Sequence, residues 1–211
     1  MGFGAIEFAY SEMARNCDID MSECFLHREG GRAHFVTKRF DRTDTGRKIH
    51  MQSLGGLCHY DYNDPTAYSY EQAIHAMRSL RLSQSELEQF FRRAVFNVVA
   101  RNQDDHVKNI NFLMDKAGQW TLAPAFDVTY AWEANHIWLG QHQMSINGKR
   151  RNFELEDILA LASVANVRAS RARTILGDVI DSVKLWPDYA QRAGVDSRTI
   201  EKIQQTHRTD L

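Results

Sequence analysis

A markedly polar segment, Asn-Gln-Asp-Asp-His-Val-Lys-Asn, occupies residues 102–109 between an apolar helical pattern and an apolar strand pattern. It brings together two carboxylates, an imidazole, an ammonium group and terminal amides. Such residues can form a polar turn in which Asn and Asp side chains cap the neighbouring elements. They can equally supply a general base and hard oxygen ligands for a cation. Residue spacing is needed to distinguish these two interpretations.

The spacing within and beyond this segment favours phosphoryl-transfer chemistry. Asp104 and Asn109 lie five positions apart, as do the aspartate and asparagine of the kinase catalytic loop His-Arg-Asp-x-x-x-x-Asn. There the aspartate accepts the proton of the attacking hydroxyl and the asparagine binds magnesium. Asp127 follows a predicted hairpin, in the position of the main magnesium-binding aspartate. Asp105 lies only four positions before Asn109, so Asp104 fits the spacing better.

Hydrophobic periodicity and turn residues predict the elements that must position these groups. The pattern becomes helical from residue 51 onward, and residues 123–151 are irregular. Glu29-Gly30-Gly31 and Asp115-Lys116-Ala117-Gly118 each favour a hairpin turn. Pro187 predicts a break between the last two helices. The predicted helices cover residues 5–15, 70–80, 82–101, 154–164, 168–185 and 197–205, and the predicted strands cover 23–28, 33–40, 109–114 and 119–122. The fold class predicted is α+β, mainly α, without the strand–helix alternation of a parallel sheet.

Composition excludes several classes of protein. The 211 residues are 43% hydrophobic with a formal net charge of −1, so neither a disordered tail nor a strongly nucleic-acid-binding chain is expected. Three cysteines, at positions 17, 24 and 58, argue against a disulfide scaffold. The sequence has no apolar run of about 20 residues and no basic-then-apolar leader. A cytoplasmic protein without a membrane span is expected.

Longer stretches around the motif resemble the C-terminal domain of HipA-type serine/threonine kinases, the toxins of bacterial type II toxin–antitoxin systems. The resembling stretches are RNQDDHVKNINFL at 101–113 and LAPAFDVTYA at 122–131, with HFVTKRFDR at 34–42 and HQMSINGK at 142–149. The resemblance covers most of the chain. It implies a protein-kinase-like C-lobe over residues 42–211. Residues 1–41 would then contain a remnant of the N-lobe, formed by the first helix and strand pair, and the lobe-linking strand.

The resemblance also implies roles for the polar residues. Asp104 would be the catalytic base, and Asn109 and Asp127 would be the magnesium ligands. His106 and Lys108 would lie near the phosphates in supporting roles. The aromatic residue precedes Asp127 and no glycine follows it, which differs from the Asp-Phe-Gly order of eukaryotic kinases.

A second group of residues is expected to contact the nucleotide. Lys38 and Phe40 would present backbone groups to adenine, with Asp41 beside them, and Glu7 resembles the helix glutamate that pairs with the ATP-binding lysine. Judged from the residues alone, 38–41 is better explained as an edge strand with solvated charges. Glu7 could be a surface charge in the first turn of a helix.

The implied function is ATP- and Mg²⁺-dependent phosphorylation of a serine in a protein substrate, an aminoacyl-tRNA synthetase in the characterised members. The implied partner is a helix-turn-helix antitoxin of the HipB kind, through which DNA would be contacted indirectly. The Gly-rich loop and the lysine that hold ATP are expected before the first helix, where the sequence has only residues 1–4. An incomplete kinase is therefore expected, with its N-terminal part either supplied by a separate subunit or lost by gene truncation.

Three alternatives remain open at the level of sequence. The chain could be a catalytically silent kinase-fold module that binds an antitoxin. It could be a small-molecule phosphotransferase, which would share the Asp104–Asn109 spacing and the later aspartate. A metal hydrolase using Asp104, Asp105, His106 and His142 is a third alternative, although its histidines lack His-x-x-x-His spacing.

Overall fold

The computed structural model of the protein describes residues 2–64 and 67–211. Met1, the first of the four residues before the predicted first helix, lies outside the described residues. The helices are Phe3–Asn16 (α1), Leu54–Cys58 (α2), Tyr70–Ser79 (α3), Gln84–Val99 (α4), Leu155–Val164 (α5), Ala169–Lys184 (α6), Trp186–Ala193 (α7) and Ser197–Gln204 (α8). The strands are Cys24–Glu29 (β1), Arg32–Thr37 (β2), His50–Ser53 (β3), Asn111–Met114 (β4) and Trp120–Leu122 (β5).

Helix α4 begins where a local capping signal places it. The Ser83 side chain accepts a hydrogen bond from the backbone N–H of Glu86, and the Glu86 carboxylate accepts one from the Ser83 N–H at 2.8 Å. This reciprocal pair is a capping box, which satisfies two N–H groups that lack helical partners. Nine residues of α4 are buried, so the helix lies in the core and its C-terminal end leads directly into the polar segment 102–109.

The five strands form two small antiparallel sheets. Strands β1 and β2 form a hairpin, and β4 pairs with both β3 and β5. The prediction of a helical pattern from residue 51 onward was wrong for β3, which pairs with β4 in the register His50↔Met114 to Ser53↔Asn111. A four-residue strand has too little periodicity of its own, and its partner lies about 60 positions later in the chain.

The predicted break near Pro187 is present, since α6 ends at Lys184, but the sequence did not predict α7, which begins at Trp186. Pro187 lies in the first turn of α7, whose residue Trp186 is fully buried. Proline is tolerated at this position because the N–H it lacks has no intrahelical acceptor there. With this extra helix the fold is mixed α+β and mainly helical, which confirms the predicted class.

Helix α1 packs against the β1–β2 hairpin through a glycine. A Cβ atom at Gly4 would lie 2.6 Å from the Ala33 carbonyl oxygen and 2.8 Å from the Phe35 backbone nitrogen. Only glycine allows this approach, which brings the first turn of α1, just before Glu7, against the backbone of β2. Within the described ranges, none of the helices combines the length and the apolar character needed to cross a membrane.

Candidate active site

A small cleft of about 40 Å³ lies where the loop after α4 meets the loop after β5. The first loop contributes the predicted base Asp104, with His106 and Asn109, and the second contributes Asp127. The lining residues are Tyr70, Phe90, Arg93, Asn97, Asn102, Asp104, Asp105, His106, Asn109, Ile110, Ala125, Phe126, Asp127 and Val128. Residues separated by more than 20 positions in sequence thus converge on one cleft.

The loop that carries Asp104 is closed by its own asparagine. The Asn109 side-chain N–H donates to the Asp104 carbonyl oxygen at 3.1 Å, and the Asn109 backbone N–H donates to the His106 carbonyl oxygen at 2.9 Å. Because the amide nitrogen is used in this way, the amide oxygen of Asn109 is the atom left for a ligand. The catalytic-loop spacing of five therefore corresponds to a closed turn.

Asp104 is half-buried and is surrounded by charge. Burial raises the pKa of its carboxyl, the nearby His106 lowers it, and the carboxylates of Asp127 and Asp105 raise it further. The His106 Nε2 lies 3.8 Å from Asp104 Oδ1. The net effect is a raised pKa, which makes Asp104 a stronger base than a solvated aspartate.

Asp127 is exposed at the cleft in a strained backbone conformation. Its φ of +54° lies in the left-handed region, which non-glycine residues rarely occupy. The preceding Phe126 packs against Phe40, with ring centroids 5.5 Å apart. This contact connects the predicted lobe-linking segment to the Asp127 loop, so Phe40 lies near the site through its ring.

Glu7 on α1 is close enough to Asp127 to interact electrostatically. Burial raises the pKa of Glu7 from 4.5 to about 7, and the negative charge of Asp127 adds to this effect. The structure therefore brings the carboxyl groups of Glu7, Asp104 and Asp127 into one electrostatic neighbourhood.

These groups suit a magnesium ion with bound nucleotide phosphates. Asp127 has an exposed carboxylate, and the amide oxygen of Asn109 is left for a ligand because the loop uses only its amide nitrogen. Both groups are the hard oxygen ligands that Mg²⁺ prefers. Burial is the main cause of the raised pKa values of Glu7 and Asp104, and the negative charge of Asp127 adds to both, a repulsion that a divalent cation would relieve. The residues present therefore fit the cofactor pair that the sequence predicts.

The raised pKa of Glu7 predicts a pH dependence of stability. The folded protein holds the Glu7 proton up to about pH 7, whereas the unfolded chain releases it near 4.5. Folding is therefore favoured by this group below pH 4.5 and loses that advantage as the pH rises to 7. Since Glu7 is half-exposed and solvent screens the effect, we expect about 1 kcal/mol.

Urea unfolding of Glu7→Gln and of the unsubstituted chain at pH 4.5, 5.5 and 7.5 measures this contribution. Glu7→Gln should lack the corresponding loss of stability between the lowest and highest pH. Glu12→Gln, on the same helix, is the matched control and should retain it. Equal pH slopes in the Glu7 variant and the unsubstituted chain would contradict the prediction.

Asp105 is buried and fully committed to structure. Its carboxylate accepts hydrogen bonds from the Tyr70 hydroxyl and the Gln143 backbone N–H, each at 2.7 Å, and lies 2.7 Å from His142 Nδ1. Asn97 donates to the same Tyr70 hydroxyl at 2.9 Å. Asp105 thus anchors the loop to α3, α4 and the segment around residue 142, while Asp104 faces the cleft.

Two predicted site residues make other contacts. Lys108 is exposed, with its Nζ 2.9 Å from the ring centroid of Tyr62. Lys38 pairs with Asp44 at 2.9 Å, and its backbone N–H donates to the Glu23 carbonyl at 2.8 Å. The bond to Glu23 engages the Lys38 N–H, and contact of Lys38 and Phe40 with adenine stays a prediction.

Asp41 is buried between two arginines. Arg39 binds its carboxylate through two nitrogens at 2.7 and 2.8 Å, and Arg42 adds a contact at 2.5 Å. The hydrogen bonds from Arg39 are the main reason that the pKa of Asp41 is lowered. These contacts hold the turn after β2 and occupy the carboxylate that the sequence assigned to the nucleotide.

Sequence reasoning missed the polar residues at the back of the cleft. Asn97 and Asn102 are hydrogen-bonded side chain to side chain at 2.9 Å. Within the described part of the chain, Asn102 Oδ1 and Arg93 Nε are buried without a hydrogen-bond partner. The signals in the sequence are Asn97, which interrupts the apolar run 94–100, and Asn102, which begins the polar segment.

The metal-hydrolase arrangement does not form. His142 pairs with Asp105 in the interior, whereas His106 lies near Asp104 at the cleft. In residues 2–64 and 67–211 no three His, Cys, Asp or Glu side chains form a group that could hold a metal ion. A kinase magnesium site is of a different type, because an asparagine and the phosphates provide part of its ligands.

Comparison with known proteins places this geometry in a family. HipA of the Shewanella oneidensis MR-1 toxin–antitoxin system, solved with HipB and operator DNA, superposes with a TM-score of 0.74 at 13% identity. That match covers 96% of this chain and 54% of HipA, so the chain spans about half of the HipA length. The Helicobacter pylori proinflammatory kinase CtkA matches with a TM-score of 0.59 at 11% identity, over 100% of this chain and 85% of CtkA.

No curated protein matches the sequence. A sequence model of the HipA-like C-terminal domain, in contrast, matches residues 2–186, which include every residue that lines the cleft. Because this match covers nearly the whole chain, the protein belongs to the HipA-like C-terminal domain family.

Proposed function

We propose that the chain is the catalytic-loop domain of a HipA-type serine/threonine kinase in a toxin–antitoxin system. It would transfer the γ-phosphoryl group of ATP to a serine of a protein. The observation that carries this proposal is the convergence of Asp104, Asn109 and Asp127 on one cleft. The family match and the fold shared with HipA and the kinase CtkA support it.

Each residue has a separate role in the proposed reaction. Asp104, with its raised pKa, accepts the proton of the attacking serine hydroxyl. Asn109 Oδ1 and the Asp127 carboxylate would hold Mg²⁺, which would neutralise charge on the phosphate oxygens. Glu7 would orient the ATP-binding lysine, whose positive charge would stabilise the Glu7 carboxylate. His106 keeps the Asp104 loop closed through its carbonyl.

The wider biological role is proposed by extension. The HipA neighbour was solved with HipB and operator DNA, and we propose a helix-turn-helix antitoxin of this kind as partner, with DNA contacted through it. An aminoacyl-tRNA synthetase is the proposed substrate and the cytoplasm the proposed location. The division at residue 41 and the need for a separate N-terminal part that supplies the Gly-rich loop and lysine remain predictions.

Binding of ATP with Mn²⁺, a paramagnetic substitute for Mg²⁺, tests the site directly. NMR of the chain should show broadening concentrated at Asn109 and Asp127, even where affinity is low. Asp127→Asn should weaken the binding at least about tenfold, because it removes a charged ligand. Asp181→Asn, an exposed substitution on α6, is the matched control. Broadening that lies elsewhere, or that is unchanged in Asp127→Asn, would refute the proposed site.

The two remaining alternatives give different results in a transfer assay. A silent binding module would bind an antitoxin but transfer no labelled phosphate from ATP to any acceptor. A small-molecule phosphotransferase would label low-molecular-weight hydroxyl compounds and leave protein serines unlabelled. Labelling of protein serine supports the kinase proposal.

A further inference from the structure

The C-terminal strap, defined as residues 206–208, covers the end of α4 that leads into the Asp104 loop. The Arg208 backbone N–H donates to the Val99 carbonyl at 2.8 Å. The Tyr10 hydroxyl donates to the Ala100 carbonyl at 2.7 Å and lies 2.9 Å from His207 Nε2. The last carbonyls of a helix lack intrahelical donors, so these contacts complete the hydrogen bonding of the end of α4.

One strap residue contacts both loops of the candidate site. Arg101, where the catalytic loop begins, donates from Nε to the Thr206 carbonyl at 2.7 Å. The Thr206 hydroxyl is hydrogen-bonded at 3.1 Å to the hydroxyl of Tyr130, three positions after Asp127. Thr206 therefore bridges the loop that carries the proposed base and the loop that carries the proposed magnesium ligand.

The two loops pair with each other beside the strap. The Ala131 N–H donates to the Arg101 carbonyl at 3.0 Å, and the Gln103 N–H donates to the Ala131 carbonyl at 3.1 Å. Arg101 and Asp127 both have left-handed backbones, with φ of +58° and +54°. Such residues cost about 1–3 kcal/mol and persist only where surrounding contacts hold them. The pairing of residues 101–103 with Ala131, called the ladder here, therefore depends on contacts from neighbouring residues.

The strap is anchored by a partly buried, neutral histidine. Burial, reinforced by the positive charge of Arg101, lowers the pKa of His207 to about 3. The Tyr10 hydroxyl gives its single proton to Ala100, so the neutral ring donates to Tyr10 from Nε2. The His207 ring also packs edge-on against buried Trp186 with centroids 5.9 Å apart. The anchor therefore persists throughout the neutral pH range.

We propose that the strap is a positioning device that sets the Asp104 loop against the Asp127 loop, with Thr206 and Tyr130 as positioning residues. The strap lies beyond the residues 2–186 that match the family. Its role in positioning Asp104 for catalysis rests on the proposed kinase function, whereas its hold on the two loops does not.

Hydrogen exchange of individual amides, measured by NMR, tests whether the strap stabilises the pairing of the two loops. This test does not depend on catalysis. The double variant Thr206→Val with Tyr130→Phe removes the bridging hydroxyls and nearly preserves side-chain volume. We expect the Gln103 and Ala131 amides to exchange about tenfold faster, while the amide of Ile175, buried in α6, is unchanged. Gln204→Ala, exposed on α8, is the matched control and should change none of them.

Unchanged exchange at Gln103 and Ala131, or an equal rise at Ile175, would overturn the proposal, because the first shows no hold and the second only a general loss of stability. Removal of residues 206–211 should accelerate the ladder amides further, and if that variant does not fold, the double variant decides. In the transfer assay, kcat should fall while KM for ATP stays the same. Accelerated exchange in a chain that transfers no phosphate even after addition of the N-terminal half of a HipA-type kinase would support the contact between strap and loops and refute the kinase function.

Discussion

Replacing Asp104 with asparagine is expected to slow phosphoryl transfer to serine about 10²–10⁴-fold, the usual contribution of a general base. Asparagine keeps the size of the side chain and cannot accept the hydroxyl proton. Because Asp104 is half-buried beside other carboxylates, removing its charge should not destabilise the fold. Binding of ATP with Mn²⁺ should persist, since Asn109 and Asp127 remain.

Transfer is measured with γ-labelled ATP in single-turnover experiments. The assay is run on the chain alone and after addition of the N-terminal half of a HipA-type kinase. Asp181→Asn serves as control and should retain full transfer. An Asp104→Asn variant with more than about a tenth of the unsubstituted rate would exclude Asp104 as the general base.

Substitution of the neighbouring Asp105 should, in contrast, reduce the stability of the fold. Asp105→Ala is expected to destabilise the protein by about 3–5 kcal/mol, because it removes a buried charge on which several donors depend. The Tyr70 hydroxyl, the Gln143 N–H and His142 would all lose their shared acceptor. Buried polar groups left unpaired carry their full desolvation cost.

Urea unfolding compares Asp105→Ala with Asp104→Ala as its matched control. The control should change the free energy of unfolding by no more than about 0.5 kcal/mol, since its carboxylate supports no comparable network. Similar losses in the two variants would contradict the assignment of separate roles. The comparison distinguishes Asp104, proposed to take part in the reaction, from the adjacent Asp105, which stabilises the fold.

The elements that local signals specify could be predicted from the sequence. The apolar pattern over 82–101 predicted α4, and the glycines at 30 and 31 marked the β1–β2 turn. Strand β3 could not be predicted in this way, because its identity depends on pairing with β4. Helix α7 was missed because a proline in a first turn and a proline at a helix break have the same local sequence signal.

The residues of the candidate site could likewise be predicted only in part. Asp104, Asn109 and Asp127 were identified by spacing, since the reaction requires those residue types in that order. Asp41 and Lys38 were assigned to the nucleotide, yet their polar groups are bound to Arg39 and Arg42, and to Glu23 and Asp44. Charge pairing between loop neighbours cannot be read from spacing alone.

By itself, the sequence determined the residue types, their order and the family they resemble. Tertiary structure alone decided that Asp105 is bound in the interior by Tyr70 and His142, and that Glu7 approaches Asp127 across more than 100 positions. It also placed Thr206 between the two loops of the site. The physical reason is that pKa values, burial and strain depend on neighbours brought together by folding, which local patterns do not contain.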